Sequence, residues 1–166
     1  MRALPWILIL STLAPACGED DHGDSDVVAL DDASDEVATT ILDRADRGDV
    51  DEDADVAAHL TAPADGDTIA AGAPVHLEWE PAQSALRHGR TTGDFVVLRL
   101  TCEGVSDPLV VVGIESTDWT ADEDHWDTIV EGGGGCDVEV VSAYVSDGVI
   151  EEGPFIPGDV PHFDVE

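Results

Sequence analysis

From about Ala58 onward, apolar residues recur at every second position, in runs separated by Gly, Pro and Asp. That rhythm predicts an all-β sandwich. Val75, Leu77 and Trp79 alternate with His76, Glu78 and Glu80, and Val96, Leu98 and Leu100 alternate with Arg99 and Thr101. Leu109–Ile114 is a continuous apolar run, and Trp126–Val130 reads as a weaker strand. Val138 and Val140 alternate with Asp137 and Glu139 in a run reaching about Val145. Phe163 and Val165 close the series. With His59–Ala62, a turn at 63–67 and a short continuation at Thr68–Ala70, the pattern predicts about seven strands over residues 58–166.

Residues 18–57 have another texture. They hold 16 acids and 2 Arg, with no aromatic residue and no proline. Such a segment buries too little apolar area to offset its ordering entropy, so it is expected to be a disordered acidic tether. One stretch carries helix signals. Ser34 is a candidate N-cap, with Asp35 and Glu36 in the first turn. Val37, Ile41 and Leu42 share a face, Arg44 and Arg47 end the pattern, and Gly48 stops it.

Charge narrows the partners. The chain has 38 acidic and 6 basic residues, a net charge of −32. All the basic residues are Arg, and there is neither Lys nor Asn. A surface so negative excludes nucleic acid as a partner and repels anionic lipid.

The N-terminus supplies an address. Arg2 precedes an apolar run from Leu4 to Ala14, which ends in Ala14-Pro15-Ala16 before Cys17 and Gly18. The run is far short of the roughly 20 residues of a membrane-spanning helix, so it reads as a signal peptide over residues 1–16. The arrangement resembles the start of a bacterial lipoprotein. The resemblance implies lipidation (diacylglyceryl and palmitate) at Cys17, followed by a tether over 17–57. It also implies membrane attachment through acyl chains and, with Gly18 rather than Asp after the cysteine, the outer membrane of a Gram-negative cell. Leu13 stands four residues before the cysteine, where the family favours three. An ordinary A-x-A cleavage giving a secreted, non-lipidated protein is the other reading of the same residues.

Cys17, Cys102 and Cys136 are the three cysteines, and an odd count in an exported chain needs an explanation. If Cys17 carries lipid, Cys102 and Cys136 remain to form one disulfide in an oxidising compartment. Leu77-Glu78-Trp79-Glu80-Pro81 resembles the second strand of a fibronectin type III or immunoglobulin-like domain, and the segment around Val138-Glu139-Val140 resembles its sixth. In that topology the third and sixth strands are antiparallel neighbours. Cys102 ends the run Val96-Leu98-Leu100 in its parity, and Cys136 begins the run Val138-Val140 in its own. The resemblance therefore implies that the two cysteines meet on the core side, with Cα atoms about 5–6 Å apart.

Candidate chemistry is sparse. Asp49, Asp51, Asp53 and Asp55 alternate as a weak candidate for calcium, but the glycine and distal glutamate of an EF-hand loop are missing. A solvated acidic tract explains them as well. The six histidines are scattered and form no metal motif. No nucleophile elbow is present, and carboxylate pairs are too common here for any to be singled out, so no enzyme and no cofactor is expected. Arg87 and Arg90 form a basic loop able to capture an anion or pair with neighbouring acids. Trp119 and Trp126 flank an acidic loop, and read either as a binding surface for a protein or glycan or as core packing. The expected function is an envelope-anchored, non-catalytic binding or adhesion module. An acidic stalk that responds weakly to calcium is the alternative.

Overall fold

The computed structural model describes residues 26–82 and 93–166. Two β-sheets enclose one core, and a helix lies on the outer side of the larger sheet. In chain order the elements are β1 (Asp26–Ala29), α1 (Asp35–Asp46), β2 (Asp51–Glu52), β3 (His59–Ala62), β4 (Asp67–Ile69), β5 (His76–Glu80) and β6 (Gly93–Cys102). There follow β7 (Leu109–Ile114), β8 (Asp118–Thr120), α2 (Glu123–Gly132), β9 (Cys136–Ser146), β10 (Val149–Ile156) and β11 (His162–Val165). The signal region, Cys17 and the basic loop Arg87–Arg90 lie outside the described residues.

The smaller sheet runs β3-β5-β8 and is antiparallel. The larger runs β1-β7-β6-β9-β10-β2, and β11 joins β9 beyond the reach of β10 and pairs in parallel with β4. Period-2 patterning explains the inner faces. Leu77 and Trp79 point inward from β5 while His76, Glu78 and Glu80 point to solvent. They meet Val96, Leu98 and Leu100 of β6, Leu109 and Val111 of β7, and Val138 and Val140 of β9 in one buried cluster.

The apolar run of β7 has a different cause. Val110 and Val112 face away from that core, into a second cluster with Phe95, Val97, Val141 and Ala143. Strands covered on both faces read as continuous apolar runs. The cover here is α1, whose Val37, Ala38 and Ile41 complete the second cluster, with Ile41 fully buried.

This overturns the expectation of a disordered tether reaching residue 57. From Asp26 the acidic segment is folded. β1 adds in parallel to the β7 edge, α1 crosses the outer face, and β2 adds in parallel to β10. The helix signals were sound: α1 starts after Ser34, holds Asp35 and Glu36 in its first turn, and gives way to Gly48 at φ +72°. Low mean hydropathy misled, because only one stripe of the helix needs to be apolar to dock on a waiting face.

A second correction concerns Trp126–Val130, which belongs to α2 and not to a strand. Asp122 caps that helix, Glu123 and Asp124 occupy its first turn, and Gly133 ends it in the left-handed region. Trp126 and Ile129, three apart, face the core. The four-glycine stretch is also more than a loose loop. A Cβ on Gly132 would lie 2.5 Å from the Glu103 carbonyl oxygen, so the backbones approach there as only glycine permits. Nine strands occupy residues 58–166 among the described residues, against about seven expected. The additions include β8 and β10. β10 follows a two-residue turn in which Asp147 and Gly148 both have positive φ, the form that suits a tight hairpin.

Candidate functional site

At one end of the inner core, β6 and β9 align Cys102 directly opposite Cys136. A disulfide joins them, with Cα atoms 4.1 Å apart. That is closer than the expected 5–6 Å, as suits a non-hydrogen-bonded pair of an antiparallel ladder, with the Glu103 N–H donating to the Gly135 carbonyl just beyond it. Both cysteines are buried among core residues, so the bond closes one end of the two-sheet packing.

Beside it lies a cleft of about 60 Å³, with Leu100, Leu109, Val105 and Ile129 as its apolar part and Asp26, Asp107 and His125 at its polar part. His125 organises this corner. Its backbone N–H and its Nδ1 lie 3.0 and 2.7 Å from Asp122 Oδ1. Its Nε2 is 3.3 Å from Asp26 of β1, and its ring stands edge-on to Trp119. The backbone bond, supported by the ring, holds the Asp122 carboxyl below the usual carboxylate range. One histidine thus links α2, β1 and β8. The space is too small for more than a water-sized group, and the corner reads as a clasp between elements.

Of the residues singled out in the sequence, Trp119 and Trp126 are buried in the inner core, on β8 and α2, and not on loops. Trp126 Nε1 donates to the Ala71 carbonyl at 2.9 Å. They pack; they do not present an aromatic surface. The four alternating aspartates do not converge. Asp49 pairs with Arg44 at 2.9 Å, Asp51 lies in β2, and Asp53 Oδ1 accepts the backbone N–H of Asp55. No group of three potential ligands is gathered among the described residues. On β11, His162 sits between Asp137 at 2.8 Å and Asp164 at 3.5 Å. The hydrogen bond to Asp137, with the charge of both carboxylates, raises its pKa above the ordinary histidine value.

The roomier concavity is on the outer face, among residues not singled out in the sequence. Val27, Val110, Arg99 and Glu139 are successive register partners across β1, β7, β6 and β9, so they form one row on one face. The first three of them, with Pro108, floor a groove of about 540 Å³. Its wall is the flank of α1: Ala38, Thr39, Leu42, Asp43 and Asp46. The groove exists because α1 packs over β6, β9 and β10 and stops short of the β1 edge. Val27 is 38% exposed in it.

Arg99, third in the row, is a tied cation. Its Nε donates to Glu139 at 2.7 Å, and a terminal nitrogen donates to Asp46 at 2.8 Å. Burial works against the charge on Arg99, but these bonds and the two carboxylates outweigh it, and the guanidinium pKa is raised. The carboxylate of Asp43 has no hydrogen bond or ion pair among the described residues. The groove is therefore aliphatic at its floor and negative at its rim. Among the described residues it offers hydrogen-bond acceptors and no uncommitted cation.

Detecting this site from sequence required knowing that α1 docks. The signal was the outward parity of Val110, apolar where a solvent-facing residue would be polar. Among the described residues no helix is long and apolar enough to cross a membrane. No protein-family model, no curated protein and no solved structure matches this chain.

Proposed function

We propose that this chain is an exported, lipid-anchored binding module with no catalytic role. The observation that supports it is the Cys102–Cys136 disulfide. A buried disulfide suits an oxidising compartment outside the cytosol, and its formation leaves Cys17 as the odd cysteine, placed after an apolar leader. Lipidation gives that cysteine a use. Eight residues would separate the anchor from the first folded strand, which holds the domain close to the membrane and not on a long stalk.

The sandwich itself we read as immunoglobulin-like, of the fibronectin type III kind. The strand arrangement supports this: β3-β5-β8 in one sheet, β7-β6-β9 in the other, and a parallel pairing of β4 with the last strand. α1 and its flanking strands are additions to that plan. Such a fold names no activity, and the binding role rests on the concave outer face together with the lack of any catalytic motif in the sequence.

Metabolic labelling with a palmitate analogue, followed by envelope fractionation, tests the address. The expected result is a labelled, detergent-soluble protein from the native sequence, and an unlabelled, released one from Cys17→Ser. An unlabelled native protein found free outside the cell replaces this reading with simple secretion.

A further inference from the structure

We propose that the outer-face groove between α1 and β1 docks a basic amphipathic segment of another protein. The inference rests on the binding-module reading and names the surface and the partner's chemistry.

Three observations carry it. The first is space. A groove of about 540 Å³ falls within the range of small-ligand and peptide sites. The second is a partly uncovered apolar floor. Val27 is exposed, Leu42 and Pro108 are half-buried and Val110 lies buried beneath them, and Val27 is one of three exposed large hydrophobic residues among those described. The third is charge. The rim carries Asp43 and Asp46, Glu139 stands next in the row, and Arg99 is already committed to two carboxylates. The surrounding molecule has a net charge of −32.

An anionic ligand is repelled by that rim. A glycan would look for an aromatic platform, and the lining has none. A lipid surface is flat, whereas this floor is recessed beside a helix. A helix or strand with one or two aliphatic side chains flanked by Lys or Arg meets each requirement. The aliphatic groups cover Val27 and Leu42, and the cations face Asp43 and Asp46. Steering by the whole molecule's field speeds the encounter, and the apolar floor supplies the selectivity.

The test uses the full chain and a fluorescein-labelled amphipathic peptide of Leu and Lys, read by anisotropy at 0.15 M salt. Comparison peptides carry Gln in place of Leu, or Glu in place of Lys. Both are expected to bind at least tenfold more weakly. Val27→Ser and Asp43→Asn, each checked for native thermal unfolding, are expected to weaken the Leu/Lys peptide several-fold. Val149→Ser, at an exposed position on the β9–β10 hairpin, leaves it unchanged. Equal binding of the Gln peptide, or no effect of Val27→Ser in a folded protein, overturns the proposal by showing nonspecific charge attraction. Equal competition by dodecylamine overturns it too, because a free amphiphile is then the better occupant. If the groove fails while crosslinking in the envelope still captures a partner, the binding-module reading stands and only this surface is wrong.

Discussion

Arg99 stands directly opposite Glu139 across the β6–β9 ladder, and the same guanidinium reaches Asp46 on α1. Strand, strand and helix are thereby joined through one half-buried cation in a molecule that has few. Replacing Arg99 by Gln leaves two carboxylates facing each other. Because the site is partly exposed, the expected loss is about 1 kcal/mol, and it shrinks as salt screens the pair. Urea unfolding of the native and Arg99→Gln proteins at low and high salt measures both effects.

Ile41→Ala removes a fully buried side chain from the face of α1 that covers the outer sheet. The expected cost is about 2–5 kcal/mol, with increased binding of a hydrophobic dye. A loose tether would give no change in either thermal unfolding or dye fluorescence.

Trp79 Nε1 is buried without a hydrogen-bond partner among the described residues. Trp79→Phe retains much of the apolar contact and removes the unsatisfied donor, so it is expected to cost clearly less than Trp79→Ala. The latter is expected to lose about 3–5 kcal/mol. Comparing the two denaturation midpoints separates packing from the orphan N–H.

Cys102→Ser is expected to cost about 2–5 kcal/mol. Reduction of the native protein by dithiothreitol should lower its unfolding temperature to a similar degree, while leaving the Cys102→Ser protein unmoved. A shift in both would point to some other effect of the reductant.

His162 has a raised pKa in the folded protein, because protonation completes its contacts with Asp137 and Asp164. The stability it contributes is fully present below the unfolded value of about 6.5 and is lost as pH rises through the higher folded value. Ring proton shifts followed by NMR should titrate above that of a free histidine. In Asp137→Asn the midpoint should fall.

Much of the inner core was legible in the sequence. Leu77, Trp79, Val96, Leu98, Leu100, Val138 and Val140 all reach it, because period-2 alternation fixes which side of a strand faces inward. The Cys102–Cys136 disulfide was expected from the odd cysteine count and from the resemblance to a sandwich whose third and sixth strands are neighbours, and it is present. The outer face was illegible for a related reason. Alternation identifies one buried side, and Val110 or Val141 on the opposite side only acquires meaning once something is known to cover it. Composition then hid the cover, since the acids of α1 outweigh Val37 and Ile41 in any average. α2 was missed because Trp126, Ile129 and Val130 fit both a short strand and one helical stripe. The Asp122 cap and Gly133 decided between them.

The parallel pairings of β1 and β2 also tie the acidic segment to residues far along the chain. Ala29 pairs with Val112, and Asp51 and Glu52 pair with Phe155 and Ile156. Residues 26–52 therefore reach their full set of strand partners only when the chain as far as Ile156 is present. The face that receives the α1 stripe is itself assembled from β6, β7 and β9, so the helix depends on residues at least as far along as Ala143. The acidity that looks like the mark of an unstructured stretch leaves α1 one apolar stripe, and that stripe is enough to dock it on a face built from distant parts of the chain.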